Sequence, residues 1–134
     1  MSSESVEPPL MLTYADAVAL FEKRRAAWLQ EDLDAYLALW ADDMTFQSPV
    51  HSEPLRGRAA FAELVRQSSQ LTRPVRFDFE HIAVHGQMVL AEWSIAIERR
   101  DDGRRLEWYG MSIAEIRDGR IVMWREYWNP MALM

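Results

Sequence analysis

The residue with the clearest chemical potential is Glu126, in the stretch Trp124-Arg-Glu-Tyr-Trp128 near the C-terminus. If this stretch is a strand, alternation places Val122, Trp124, Glu126 and Trp128 on one face and Met123, Arg125, Tyr127 and Asn129 on the other. A carboxylate between two indoles loses hydration, which raises its pKa and suits it to exchange protons near neutrality. The competing reading is structural: Glu126 could pair with Arg24, Arg25 or another arginine and simply close the core.

Few other groups offer chemistry. Ser48 and Ser112 could hydrogen-bond a water or a substrate oxygen, although serine in a strand is commonly just a small, satisfied residue. His51 falls in a loop next to the expected cavity mouth, His81 alternates with Phe77 and Phe79 and so could be a core or pocket imidazole, and His85 precedes Gly86 in a turn. Cysteine is absent, which removes disulfides, thiolate metal sites and cysteine nucleophiles. The histidines and carboxylates match no metal-ligand spacing, and the five glycines form no phosphate loop. The expectation is chemistry without metal or cofactor.

These residues need a scaffold, and 134 residues suffice for one domain with its own core. The formal charge of -6 and the lack of a long basic run argue against nucleic acid as a partner. No apolar run reaches the roughly 18 to 20 residues of a membrane span, and the acidic N-terminus lacks a signal-peptide core, so a soluble cytoplasmic protein is expected. Six tryptophans are the compositional outlier and call for a core, pocket or interface.

Residues 1–12, with Pro8-Pro9 and no periodicity, read as a flexible tail, and 131–134 as a C-terminal tail. Thr13 and Asp16 resemble a capping box, and Ala17, Leu20, Phe21, Arg24, Ala27 and Trp28 follow at helical spacing. With Asp32 as N-cap, Leu33, Tyr36, Leu37 and Trp40 suggest a second short helix, ended by Ala41-Asp-Asp43. Residues 44–48 read as a strand and 49–56 as a loop. After Gly57 comes a third helix, closed by the polar stretch 67–70 and Pro74. From Val75 the period becomes two, giving strands at 75–84, 87–99, 105–116 and 120–128 with tight turns between them. Three helices followed by an antiparallel meander imply an α+β domain over 13–130, the helices covering one face of a curved sheet.

The order of Trp40-Ala-Asp-Asp-Met-Thr-Phe-Gln-Ser-Pro49, Gly57-Arg-Ala-Ala-Phe61, the Asp118-Gly-Arg-Ile121 turn and Trp124-Arg-Glu-Tyr-Trp128 resembles the SnoaL-like branch of the nuclear transport factor two-like superfamily. The resemblance implies a cone-shaped fold around a pocket. Its members include polyketide cyclases, ketosteroid isomerases and limonene epoxide hydrolases, so fold alone does not choose a reaction. The isomerase base position is occupied by Ser48, and its oxyanion-hole tyrosine and aspartate by Arg24 and Ser112. The epoxide hydrolase acid on the last strand is retained as Glu126. Its arginine–aspartate relay is replaced by Trp93 and Ile95, and its water-holding tyrosine and asparagine by Phe46 and Ser48.

The resemblance and the alternation together give a candidate pocket of Trp28, Phe46, Ser48, His51, Trp93, Ile95, Trp108, Ser112, Trp124 and Trp128 around Glu126. The leading reading is a cofactor-independent isomerase, cyclase or hydrolase that acts on a small hydrophobic molecule through Glu126. The alternatives are a non-catalytic binder of hydrophobic metabolites and a dimerising interaction domain. The family also implies a homodimer through the outer sheet face, with Met111, Ile113, Met123 and Tyr127 as candidate contacts.

Overall fold

A computed structural model describes residues 11–133. The first ten residues of the expected N-terminal tail lie outside this range. Of the remaining two, Leu12 packs against the core.

Helix α1 spans Tyr14–Leu29, and the Thr13 hydroxyl accepts from the Asp16 N–H at 3.0 Å, the cap anticipated from sequence. Ala17, Leu20, Phe21, Arg24 and Ala27 form its buried face. Helix α2 is shorter than expected, Leu33–Leu37, with Asp32 accepting from the Ala35 N–H. Trp40 does not belong to it but opens strand β1, Trp40–Gln47. The periodicity misled because a fully buried Trp40 is demanded equally by a helix face and by this strand's pairing, Trp40 with Ile121. Two-residue strand β2, Leu55–Arg56, adds to Phe46 and Thr45 inside the segment expected to be a loop.

Helix α3, Arg58–Leu71, runs through the polar 67–70 stretch, which is exposed. Strand β3, Thr72–His85, already contains Pro74. Proline is tolerated there because β3 is an edge strand and the ladder skips a residue between Pro74 and Arg76. Strands β4 (Met88–Arg99), β5 (Arg105–Arg117) and β6 (Arg120–Trp128) complete the meander, and Pro130–Leu133 forms a 3-10 turn where a tail was expected. The sheet order is β2-β1-β6-β5-β4-β3, antiparallel except for β1 beside β6.

A second register shift, between Phe79 and His81, has a visible consequence. It reverses the alternation of β3, so Phe79 packs inward, Ile82 and Val84 follow, and His81 turns out to solvent, bonded to Glu92 at 2.8 Å. The core or pocket role considered for His81 is thereby excluded.

The inner sheet face carries two apolar clusters. One gathers Phe21, Tyr36, Trp40, Met44, Phe61, Ile121 and Trp124 under the helices. The other, Phe77, Trp93, Ile95 and Ile97 with Trp28, Trp108 and Trp128 packed against it, surrounds open space.

Candidate active site

That open space is a cavity of ≈ 990 Å³ between the helices and the inner sheet face. Its volume lies at the upper end of small-molecule sites. From the sequence-derived set, Trp28, Phe46, Trp93, Ile95, Trp108, Glu126 and Trp128 line it. Ser48, His51, Ser112 and Trp124 are not in its lining.

Each of the four has a physical reason. Ser48 and His51 satisfy one another, Oγ to Nδ1 at 2.8 Å, which ties the loop after β1 together. The Ser112 hydroxyl, fully buried, accepts the Trp93 Nε1–H at 2.7 Å. Although Ser112 stands directly across the ladder from Glu126, its oxygen holds the Trp93 indole in place. Trp124 lies beneath the cavity floor, 1% exposed, with its ring packed against Phe21 and Trp40.

Glu126 is half-buried, and it lines the cavity. Trp124 Nε1 donates to its Oε2 at 3.4 Å, and the Trp128 side chain also hydrogen-bonds it. Burial raises its pKa from the ordinary glutamate value; the nearby Arg24 charge and the two indole hydrogen bonds oppose that rise without cancelling it. The carboxyl therefore holds its proton more tightly than a solvated glutamate and stands closer to neutrality as a proton donor or acceptor.

Two groups beside it were not in the sequence-derived pocket. Arg24 is 5% exposed and its guanidinium lies 4.2 Å from the centre of the Trp124 ring, with Phe77 at 5.3 Å, Tyr36 at 5.4 Å and Trp40 at 6.0 Å. Among the described residues, Nε and Nη1 have no hydrogen-bond acceptor and no carboxylate comes within 4.0 Å. The ion pair of the competing reading is not formed with Arg24, whose charge acts on Glu126 at longer range. Tyr36, also lining the cavity, has its pKa raised by burial, an effect reduced by Arg24 and reinforced by Glu126. An arginine in the apolar row of α1 was the sequence signal for this arrangement, because a charge on a buried helix face needs a reason.

At the cavity mouth the charged hairpin tip is solvent-exposed from Arg100 to Arg105, and Arg99, Arg100 and Asp101 also contribute to the cavity lining. Arg100 pairs with Glu31 and donates to the Ser69 carbonyl at 2.9 Å, fastening the β4–β5 hairpin to α1 and α3. Arg99 pairs with Asp101 at 2.9 Å. The mouth arginines are neutralised, whereas Arg24 is not. Among the described residues, no group of three or more histidines and carboxylates is placed to hold a metal ion.

The sequence matches the family model of the SnoaL-like domain over residues 21–124. The chain belongs to the SnoaL-like family. A Bacillus subtilis relative, the uncharacterised protein YesE, is 26% identical over 134 residues, covering 92% of this chain and 88% of that protein. A crystal structure from Bacillus subtilis, provisionally named an isomerase, superimposes with a TM-score of 0.80 at 25% identity, over 89% of this chain and 90% of that one. An M. tuberculosis LEH-like epoxide hydrolase gives 0.76 at 24% identity, over 88% and 86%. A Catenulispora acidiphila protein with a ketosteroid isomerase-like fold, in complex with trimethylamine, gives 0.75 at 15%, over 84% and 87%. The last two likenesses establish the fold, not a reaction.

Proposed function

We propose that this SnoaL-like protein is a small-molecule enzyme of the isomerase, cyclase or hydrolase type, with Glu126 as the proton-transferring group and an apolar substrate. One observation carries the reading: the carboxyl that meets the aromatic cavity is held by indole hydrogen bonds and has a raised pKa. In its ionised form Glu126 would take a proton from a substrate C–H or from a water, forming the carboxylic acid. It would return that proton to the product or leaving oxygen in a second step, so no cofactor enters the balance. The isomerase and epoxide hydrolase named among the structural relatives are consistent with such chemistry on this scaffold.

A second reading is favoured by a specific feature. The Ser48 and Ser112 hydroxyls are engaged by His51 and Trp93, leaving Glu126 with indole partners alone. A non-catalytic binder of hydrophobic metabolites would need no more than this.

Mass spectrometry of material extracted from freshly purified protein identifies a candidate ligand, whose conversion is then measured with wild type and Glu126→Gln. The enzyme reading expects turnover that falls about 10²- to 10⁴-fold in the variant. Unaltered turnover would exclude Glu126 as the essential group, and a tightly held but unconverted molecule would favour the binder.

The exposed side chains of Tyr109, Met111 and Tyr127 on the outer face of β5 and β6 also support a homodimer through the sheet, with Ile113 and Met123 beside them.

A further inference from the structure

Among the described residues, Arg24 is a buried cation with no counter-ion in contact, and such groups are normally paired. Its neighbours are four aromatic rings, which satisfy the face of the guanidinium but accept none of its in-plane N–H bonds. It lines the same cavity as Glu126, whose walls are otherwise mostly aromatic and aliphatic. The other cations there, Arg99 and Arg100, are at the mouth and already paired.

From this we infer that the cavity takes an apolar, ring-containing molecule bearing a carboxylate, and that Arg24 is the residue that receives that carboxylate. This deepens the reading of the cavity as a small-molecule site and rests on it. A planar guanidinium with free N–H groups is the side chain best fitted to bind an oxyanion in a dry setting. The ring stack of Trp28, Phe77, Trp93, Trp108 and Trp128 supplies the apolar remainder of the site. The four rings compensate the face of the Arg24 guanidinium, while its in-plane Nε and Nη1 groups have no acceptor among the described residues.

The test compares naphthalene-2-carboxylate with its neutral isostere 2-naphthamide by isothermal titration calorimetry, on wild type, Arg24→Met, Arg24→Lys and Glu126→Gln. The wild type is expected to bind the carboxylate roughly 10- to 100-fold more tightly than the amide. Arg24→Met should bring the two affinities together while leaving the amide within about threefold of wild type, Arg24→Lys should keep part of the preference, and Glu126→Gln, which removes a competing negative charge, should keep or widen it. Equal affinities in the wild type, with the amide bound, would overturn the role of Arg24 and leave the apolar pocket standing. A preference that survives in Arg24→Met would overturn it as well. Binding of neither probe by folded wild type would overturn the pocket reading and this inference together.

Discussion

At the scale of single residues, the site is defined by the contrast between Glu126 and Arg24. Arg24 is buried among aromatic rings, and the Glu126 carboxyl, partly buried beside it, yields to burial by holding its proton. The direction has two consequences. Folded protein retains a proton on Glu126 over the interval between the ordinary glutamate value and its own raised one, while the unfolded chain has lost it. Stability therefore declines as pH rises through that interval, and Glu126→Gln removes this contribution. Proton abstraction needs the ionised form, so a base-dependent rate rises over the same interval. The arginine acts against burial: without its charge the carboxyl would be pushed higher still.

At the scale of elements, the site depends on how closely three strands approach. Gly110 on β5 lies opposite Trp93 on β4 and Trp128 on β6. A Cβ there would come 2.5 Å from the Tyr127 carbonyl oxygen, 2.9 Å from the Trp128 Cβ and 3.1 Å from the Trp93 ring. Gly110→Ala is therefore expected to destabilise the fold by about 1–3 kcal/mol in denaturant titration and to shift the tryptophan emission, because both cavity indoles must move. A variant with unchanged midpoint and emission would contradict that packing. The strands themselves were readable from their period-two pattern, and Arg120–Trp128 came out residue for residue. What escaped was irregularity: the Phe79/His81 shift that sends His81 outward, and the use of Trp40 by a strand instead of a helix. Both are decided by pairing across the sheet, which local patterns do not contain.

At the scale of the whole molecule, the helices and the cavity lie on one face of the sheet, and the exposed Tyr109, Met111 and Tyr127 lie on the other. The inner face and its cavity were foreseeable, because a meander covered by three helices on one side leaves few alternatives. The lining was legible where residues alternate on β4, β5 and β6, as at Trp93, Trp108 and Trp128, and failed where a polar side chain found a partner within the wall, as at Ser48 and Ser112. On the outer face, Met111 stands across from Tyr127, 47% and 56% exposed. If that face joins two copies, Met111→Glu combined with Tyr127→Lys should give a monomer in sedimentation velocity where the wild type sediments as a dimer; a monomeric wild type would reject the interface. On the inner face, a carbon-13 NMR titration of the Glu126 carboxyl, assigned by its absence in Glu126→Gln, should give a midpoint above that of the solvated glutamates, moving higher again in Arg24→Met. A midpoint at or below the ordinary glutamate value, unmoved by loss of Arg24, would contradict the raised pKa.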